Sequence, residues 1–280
     1  MPVITVYQHG GTAGTPPMRN DHERAKREEV SGWSSKTARS NTRFLQSVKL
    51  PGLTGIGIAF TLTLKNCPPT SDDWHKLRRA FSMRLQRAGM VRLHWVTEWQ
   101  KRGVPHLHGV AYFPDDRHPN EYCNLILDHW CQIAKPYTCA IWAQNAKPIN
   151  DAKGWLQYLA KHASRGASHY QRSSDSIPPG WRQRTGRMWG KWGEWDIGDP
   201  SKFDVPMPAM HAYRRMFRRW AISDARSKGD WRGVKYSRRC LRCHQQGLST
   251  VRGVGLWIPE EVQLAMVPWL ASEGYTVEST

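Results

Sequence analysis

Two histidines separated by one residue, His106 and His108 in VPHLHGV, are a pairing that can do chemistry. On a strand, side chains at i and i+2 leave the same face. Both imidazoles can then grip one cation while Leu107 points into the core. The spacing alone is common in chains that bind no metal. Glu98 lies just upstream, before the turn Lys101-Arg102-Gly103. A hairpin register pairing Glu98 with His106 or His108 puts the carboxylate on the histidine face. A slip of one residue puts it on the other face, where it reads as a surface carboxylate paired with Lys101 or Arg102. Two imidazoles and one carboxylate leave coordination positions open and suit a divalent ion such as Mn²⁺ or Mg²⁺. Farther along, Tyr158 and Lys161 in WLQYLAKH are three apart and share one side of a helix. A phenol is protonated at neutral pH and so a poor nucleophile. A neighbouring ammonium favours the phenolate or neutralises charge on a phosphate. Taken alone, the pair reads equally as a core tyrosine beside a solvated lysine.

These residues need elements to position them. GIGIAFTLTLK (55–65) alternates in polarity and reads as a strand. In 71–89, Trp74, Leu77, Phe81 and Leu85 recur at helical spacing, with Ser71 as a candidate cap and Gly89 as a stop. VRLHWVTEW (91–99) and VPHLHGVAYF (104–113) read as a hairpin. Asn120 is a candidate cap for a helix running to about residue 134, TCAIWA (138–143) reads as a fourth strand, and 152–164 reads as another helix. The order β-α-β-β-α-β plus a helix is an α+β, ferredoxin-like arrangement with an antiparallel sheet. His94 shares parity with Glu98 and is expected in the core or behind the site.

Charge narrows the partners. The 280 residues hold 41 Lys and Arg against 23 Asp and Glu, a formal net charge of +18, which argues for a polyanion. A basic surface that binds nothing specific is the plainer alternative. Segment 211–240 carries ten Lys and Arg against two Asp, the densest positive stretch. Arg214, Arg215, Arg218, Arg219, Lys235, Arg238 and Arg239 are its candidate phosphate contacts, unless the helix is merely solvated. Most of the fifteen tryptophans are expected in the core, with some free to stack on bases. No apolar run approaches the roughly 20 residues of a membrane span. The start MPVITVYQHGGTAG lacks the pattern of a secretory leader. Both point to the cytoplasm and to reduced thiols for the six cysteines. Cys240, Cys243 and His244 have the spacing of half a zinc site.

Phe60-Thr61-Leu62-Thr63-Leu64, Pro105-His106-Leu107-His108-Gly109 and Tyr158-xx-Lys161 together resemble the HUH endonuclease superfamily, specifically rolling-circle replication initiators of phages and plasmids. The stretch GRMWG (186–190) is similar to segments after the tyrosine helix in the filamentous-phage type. The resemblance covers about 55–195. It implies nicking of single-stranded origin DNA by Tyr158 through a 5′-phosphotyrosine, with Lys161 as helper. It also implies a divalent metal on Glu98, His106 and His108, and later rejoining of the ends. Single-stranded and duplex origin DNA, a host polymerase and a helicase are the implied partners, with no membrane. Four residues either side of Tyr158 stand Gly154 and His162, so a single-tyrosine enzyme is expected; Tyr170 or a second subunit is the alternative source of a second tyrosine. The division expected is a weakly ordered basic segment (1–54), an endonuclease domain (55–205) and a basic, largely helical extension (206–280). A single-tyrosine transposase or mobilisation relaxase shares these motifs. A non-catalytic nucleic-acid-binding protein on the same fold would make them coincidental.

Overall fold

In β3 (Ile56–Thr63), Ile58, Phe60 and Leu62 alternate with Gly57, Ala59 and Thr61, and this parity divides the sheet into an apolar face and a chemical one. The computed structural model describes residues 1–16, 32–152, 154–156, 171–239 and 257–280. β4 (Arg92–Trp99) and β5 (Pro105–Phe113) form the expected hairpin, and β5 also pairs with β3. With β6 (Asn145–Pro148) and β7 (Trp189–Gly193), the fully antiparallel sheet runs β6-β3-β5-β4-β7. Its first four strands follow the ferredoxin-like order, and β7 adds one at the β4 edge.

The apolar face is covered by α2 (Ser71–Arg87) and α3 (Pro119–Ile133). Edge-to-face aromatic pairs join them: Phe60 on Phe81, Trp74 on Trp130, and Phe81 on Trp130. Trp74 and Trp130 are buried to within 1% and anchor this layer. The caps sit just outside the residues expected. Thr70 Oγ1 accepts from the Asp73 amide, and the His118 ring accepts from the Asn120 amide.

The fourth strand lies at Asn145–Pro148 and not at 138–143. Thr138 adopts a left-handed φ of 57°, Ile141–Ala143 makes a 3₁₀ turn, and Trp142 is 87% exposed. TCAIWA has strand-forming residues but no face to bury. NAKP has poor propensity but is pinned by pairing with β3, and its proline sits on an edge strand, where the missing donor costs no ladder bond.

The N-terminal segment, expected to be weakly ordered, is largely structured where it is described. β1 (Val3–Tyr7) and β2 (Gly10–Gly14) make a hairpin, and α1 (Ser35–Ser47) is capped by Ser34. Gly10 and Gly11 are there for close packing. A Cβ at Gly10 would meet the Gln46 side chain at 2.1 Å, and one at Gly11 would meet Gln263 at 2.3 Å. The charge-dense run 20–29 lies outside the described residues. α1 packs on the chemical face of the large sheet at the end away from the turn. There Phe44 stacks on His94 and Asn41 Oδ1 lies 2.7 Å from His94 Nε2. His94 is thus a core residue, and burial pushes its pKa down to about 3.

The extension is helical as expected: α4 (Met207–Ser227), α5 (Trp231–Arg239) and α6 (Glu260–Ser272). It packs with strands from outside it. β8 (Ser201–Asp204) pairs with β1 and with β9 (Glu278–Ser279), giving a second sheet ordered β2-β1-β8-β9. Ile4 and Val6 of β1 share a core with Tyr213, Phe217, Met266 and Leu270. The two ends of the chain therefore complete one another.

Gly109, directly after His108, is forced by packing. A Cβ there would meet Phe60 Cζ at 2.4 Å and the His94 carbonyl at 2.7 Å. Gly109→Ala should cost about 1–3 kcal/mol through overpacking, read as a lower urea midpoint with an unchanged slope. An unchanged midpoint would show that Phe60 moves aside freely.

Candidate metal centre

The β4–β5 register sets Glu98 opposite His106 and Val96 opposite His108. Glu98, His106 and His108 therefore leave the same face, opposite the one covered by α2 and α3, and Leu107 points into the core as expected. One ligand atom from each lies within 4.8 Å of the others, and this is the cluster of metal-ligating type among the described residues. All three are buried, at 0%, 8% and 5% exposure.

Distances within the cluster fit a shared cation. The two Nε2 atoms are 3.1 Å apart, and His108 Nε2 is 3.6 Å from Glu98 Oε2. Ligands about 2.1 Å from one ion and at a right angle to each other stand about 3.0 Å apart. Thr61, opposite His108 on β3, places its Oγ1 2.9 Å from His108 Nδ1. If Nδ1 donates to Thr61, Nε2 keeps its lone pair turned toward Glu98 and His106, as a ligand requires. The mixed imidazole and carboxylate donor set suits Mn²⁺ as well as Mg²⁺.

Glu98 has a second partner that carries no sequence signal. Arg172 donates from Nε at 2.9 Å and from a terminal nitrogen at 2.7 Å to Oε1 of Glu98, leaving Oε2 turned toward the histidines. Both side chains are fully buried. The guanidinium lies 4.0 Å from the centre of the Trp33 ring, and Trp33 Nε1 donates to the Thr97 carbonyl one residue before Glu98. The Trp99 amide donates to the Gln171 carbonyl at 2.8 Å, tying the segment that carries Arg172 to the end of β4. A buried carboxylate needs such compensation whenever no cation is near.

Other expected residues divide into three groups. Tyr158, Lys161 and Tyr170, like Cys240, Cys243 and His244, lie outside the described residues. Arg215, Arg219, Lys235, Arg238 and Arg239 are exposed and Arg218 is half-buried. Arg214 differs from them in being buried, at 5% exposure. Its position follows from helical spacing, since it sits one residue after the buried Tyr213 and three before Phe217. Arg218, Arg219 and Arg226 of α4 and Arg238 of α5 line one groove of about 470 Å³.

Residues 57–167 match the family model of the replication-associated protein ORF2/G2P. Over 285 residues, covering the whole of both chains, the sequence is 46% identical to an inferred replication protein of Xylella fastidiosa. It is 42% identical over 277 residues, 98% of this chain and 99% of the other, to the replication-associated protein G2P of Pseudomonas phage Pf3. The chain belongs to this family of phage and plasmid replication proteins. A second inferred replication protein, from the Temecula1 strain of Xylella fastidiosa, is 44% identical over 92% of this chain. No solved structure gives a significant match. The family match spans β3 through β6, and so includes every strand that carries the cluster. The relatives, by contrast, align over 92% to 100% of this chain.

Arg172→Met should cost about 3–5 kcal/mol, because it strands a buried carboxylate. Glu98→Gln in the same chain should recover much of that loss, giving strongly non-additive denaturation midpoints. Additive losses would mean that the two side chains do not stabilise one another.

Proposed function

We propose that this chain starts replication by nicking one strand of origin DNA, with Tyr158 as nucleophile and Glu98, His106 and His108 as the holders of a divalent cation. The observation that supports it most is the convergence of the three donors on one sheet face, with His108 oriented by Thr61. A bound Mn²⁺ or Mg²⁺ would polarise the scissile phosphate and offset its developing negative charge. The chain's own residues do the rest. Tyr158 Oη forms a bond to phosphorus while the bond to the 3′ oxygen breaks. The phenolic proton goes, directly or through water, to the leaving 3′ oxygen. The products are a 5′-phosphotyrosine and a free 3′-OH that a host polymerase can extend, with a helicase opening the duplex ahead. Reversal of the step on the displaced strand rejoins the ends. Lys161, three residues after Tyr158 in the sequence, favours the phenolate and neutralises phosphate charge.

In this reading the exposed Arg215, Arg219, Lys235, Arg238 and Arg239, with Arg218 in the groove, hold duplex origin DNA by its phosphates. No described helix is long and apolar enough to cross a membrane, and replication of this kind places the protein in the host cytoplasm. A purely binding role on the sheet would call for aromatic side chains that stack on bases. A binding role alone would give no task to the buried carboxylate and two imidazoles that this face brings together.

Incubating the protein with an origin-bearing single strand and Mn²⁺ should give a covalent adduct on a denaturing gel. Tyr158→Phe should abolish the adduct and keep strand binding. His106→Ala or His108→Ala should abolish it too, and EDTA should do the same to the wild type. Lys161→Ala should slow the reaction by a factor consistent with a few kcal/mol, with partial recovery in Lys161→Arg. An adduct that persists in Tyr158→Phe moves the nucleophile elsewhere, and full activity in EDTA removes the metal from the reaction.

A further inference from the structure

The chemical face of the sheet does not end at the metal cluster. Asn145 of β6 lies opposite Thr61, and Lys147 lies opposite Ala59. Both therefore leave the same face as His106 and His108. There the sheet and the chain after it border an open cleft of about 550 Å³, lined by Thr61, Asn145, Lys147, Asn150, Asp151 and Trp155 among others. Thr61 is common to both sites: it lines the cleft and holds the His108 ring. Across the strands, His108, Thr61 and Asn145 form one row. At about 4.8 Å per strand, the row spans about 10 Å.

We propose that this cleft holds one nucleotide of single-stranded DNA, adjacent to the phosphate at the Glu98–His106–His108 cluster, and reads its base. The inference rests on the nicking reading above and assigns part of its substrate recognition to β6 and the residues that follow it. Its volume lies within the roughly 300–1,000 Å³ of small-ligand sites and is enough for a base and its sugar. The lining supplies what a base requires. Trp155 offers an indole for stacking. Asn145 and Asn150 each offer a carboxamide donor and acceptor that match a base edge. Lys147 offers a cation to the backbone phosphate. Asp151 disfavours a second phosphate in the cleft and accepts from an exocyclic amino group. A base held in duplex cannot enter without leaving its stack, so the cleft selects for strand already opened. Its place beside the cluster means that it selects at the nick itself, whereas the groove between α4 and α5 offers arginine cations to phosphates.

The test is a selection in EDTA, which separates recognition from cleavage. Single-stranded 20-mers randomised at every position are bound to wild-type protein and to Asn145→Ala/Asn150→Ala, and the retained pools are sequenced. Both asparagines are exposed, so the double variant should fold, which circular dichroism checks. Trp155→Leu provides a second, independent variant. Wild type should show base preference at a short run of positions. The double variant should lose at least tenfold of that preference at one or two adjacent positions and keep the rest. Trp155→Leu should weaken retention without altering which base is preferred. An unchanged preference in the double variant, or none in wild type, overturns the proposal. Wild-type adduct formation in Mn²⁺ is scored separately. A base preference that depends on Asn145 and Asn150 without any adduct would leave the subsite standing and sink the nicking reading.

Discussion

The register between β4 and β5 is the constraint on which the site depends. Side chains alternate along a strand, so a slip of one residue would carry Glu98 to the face packed by α2 and α3 and leave two histidines facing no carboxylate. Several contacts hold the register. Trp74 Nε1 donates to Thr97 Oγ1 from the helix side, and Trp33 Nε1 donates to the Thr97 carbonyl. Phe60 crosses Gly109, where no larger residue fits. The residue just before Glu98 and the one just after His108 are thus held by contacts that have no chemical role.

Burial of Glu98 creates a second dependence. A carboxylate with no exposure is unstable unless its charge is compensated. Arg172 compensates it on one oxygen while the other faces the histidines. The guanidinium is in turn stacked on Trp33, just ahead of α1, and the segment bearing it is tied to β4 through Gln171. Residues more than seventy apart along the chain therefore meet at one carboxylate. The second core repeats this economy of long-range closure, with the first strands completed by the last helices.

The parts of the fold with strong periodicity were legible in the sequence. The β4–β5 hairpin, α2, and the face shared by His106 and His108 follow from alternation and helical spacing alone. The hairpin pairing of Glu98 was one of two registers, and packing at Trp33, Trp74 and Gly109 decides between them. Other features left no local trace. NAKP has none of the residue types of a strand, and only its pairing with β3 makes it one. Gly10 and Gly11 look like breakers, yet they accommodate Gln46 and Gln263 from distant segments. Arg172 sits in a polar run without periodicity, so its role appears only once the chain has brought it to Glu98. The burial of Arg214 was equally invisible, since counting charge along a helix ignores which side faces the core. The cleft beside β6 depends on a strand whose position composition misplaced, so its lining could not be read in advance.

The proposed chemistry requires Glu98, His106 and His108 to hold one divalent ion. Anomalous diffraction from crystals grown with Mn²⁺ tests it directly. One strong peak is expected within about 2.0–2.4 Å of His106 Nε2, His108 Nε2 and Glu98 Oε2, with Arg172 still on Oε1. A peak bound elsewhere, or none at this face in crystals soaked with millimolar Mn²⁺, would contradict it.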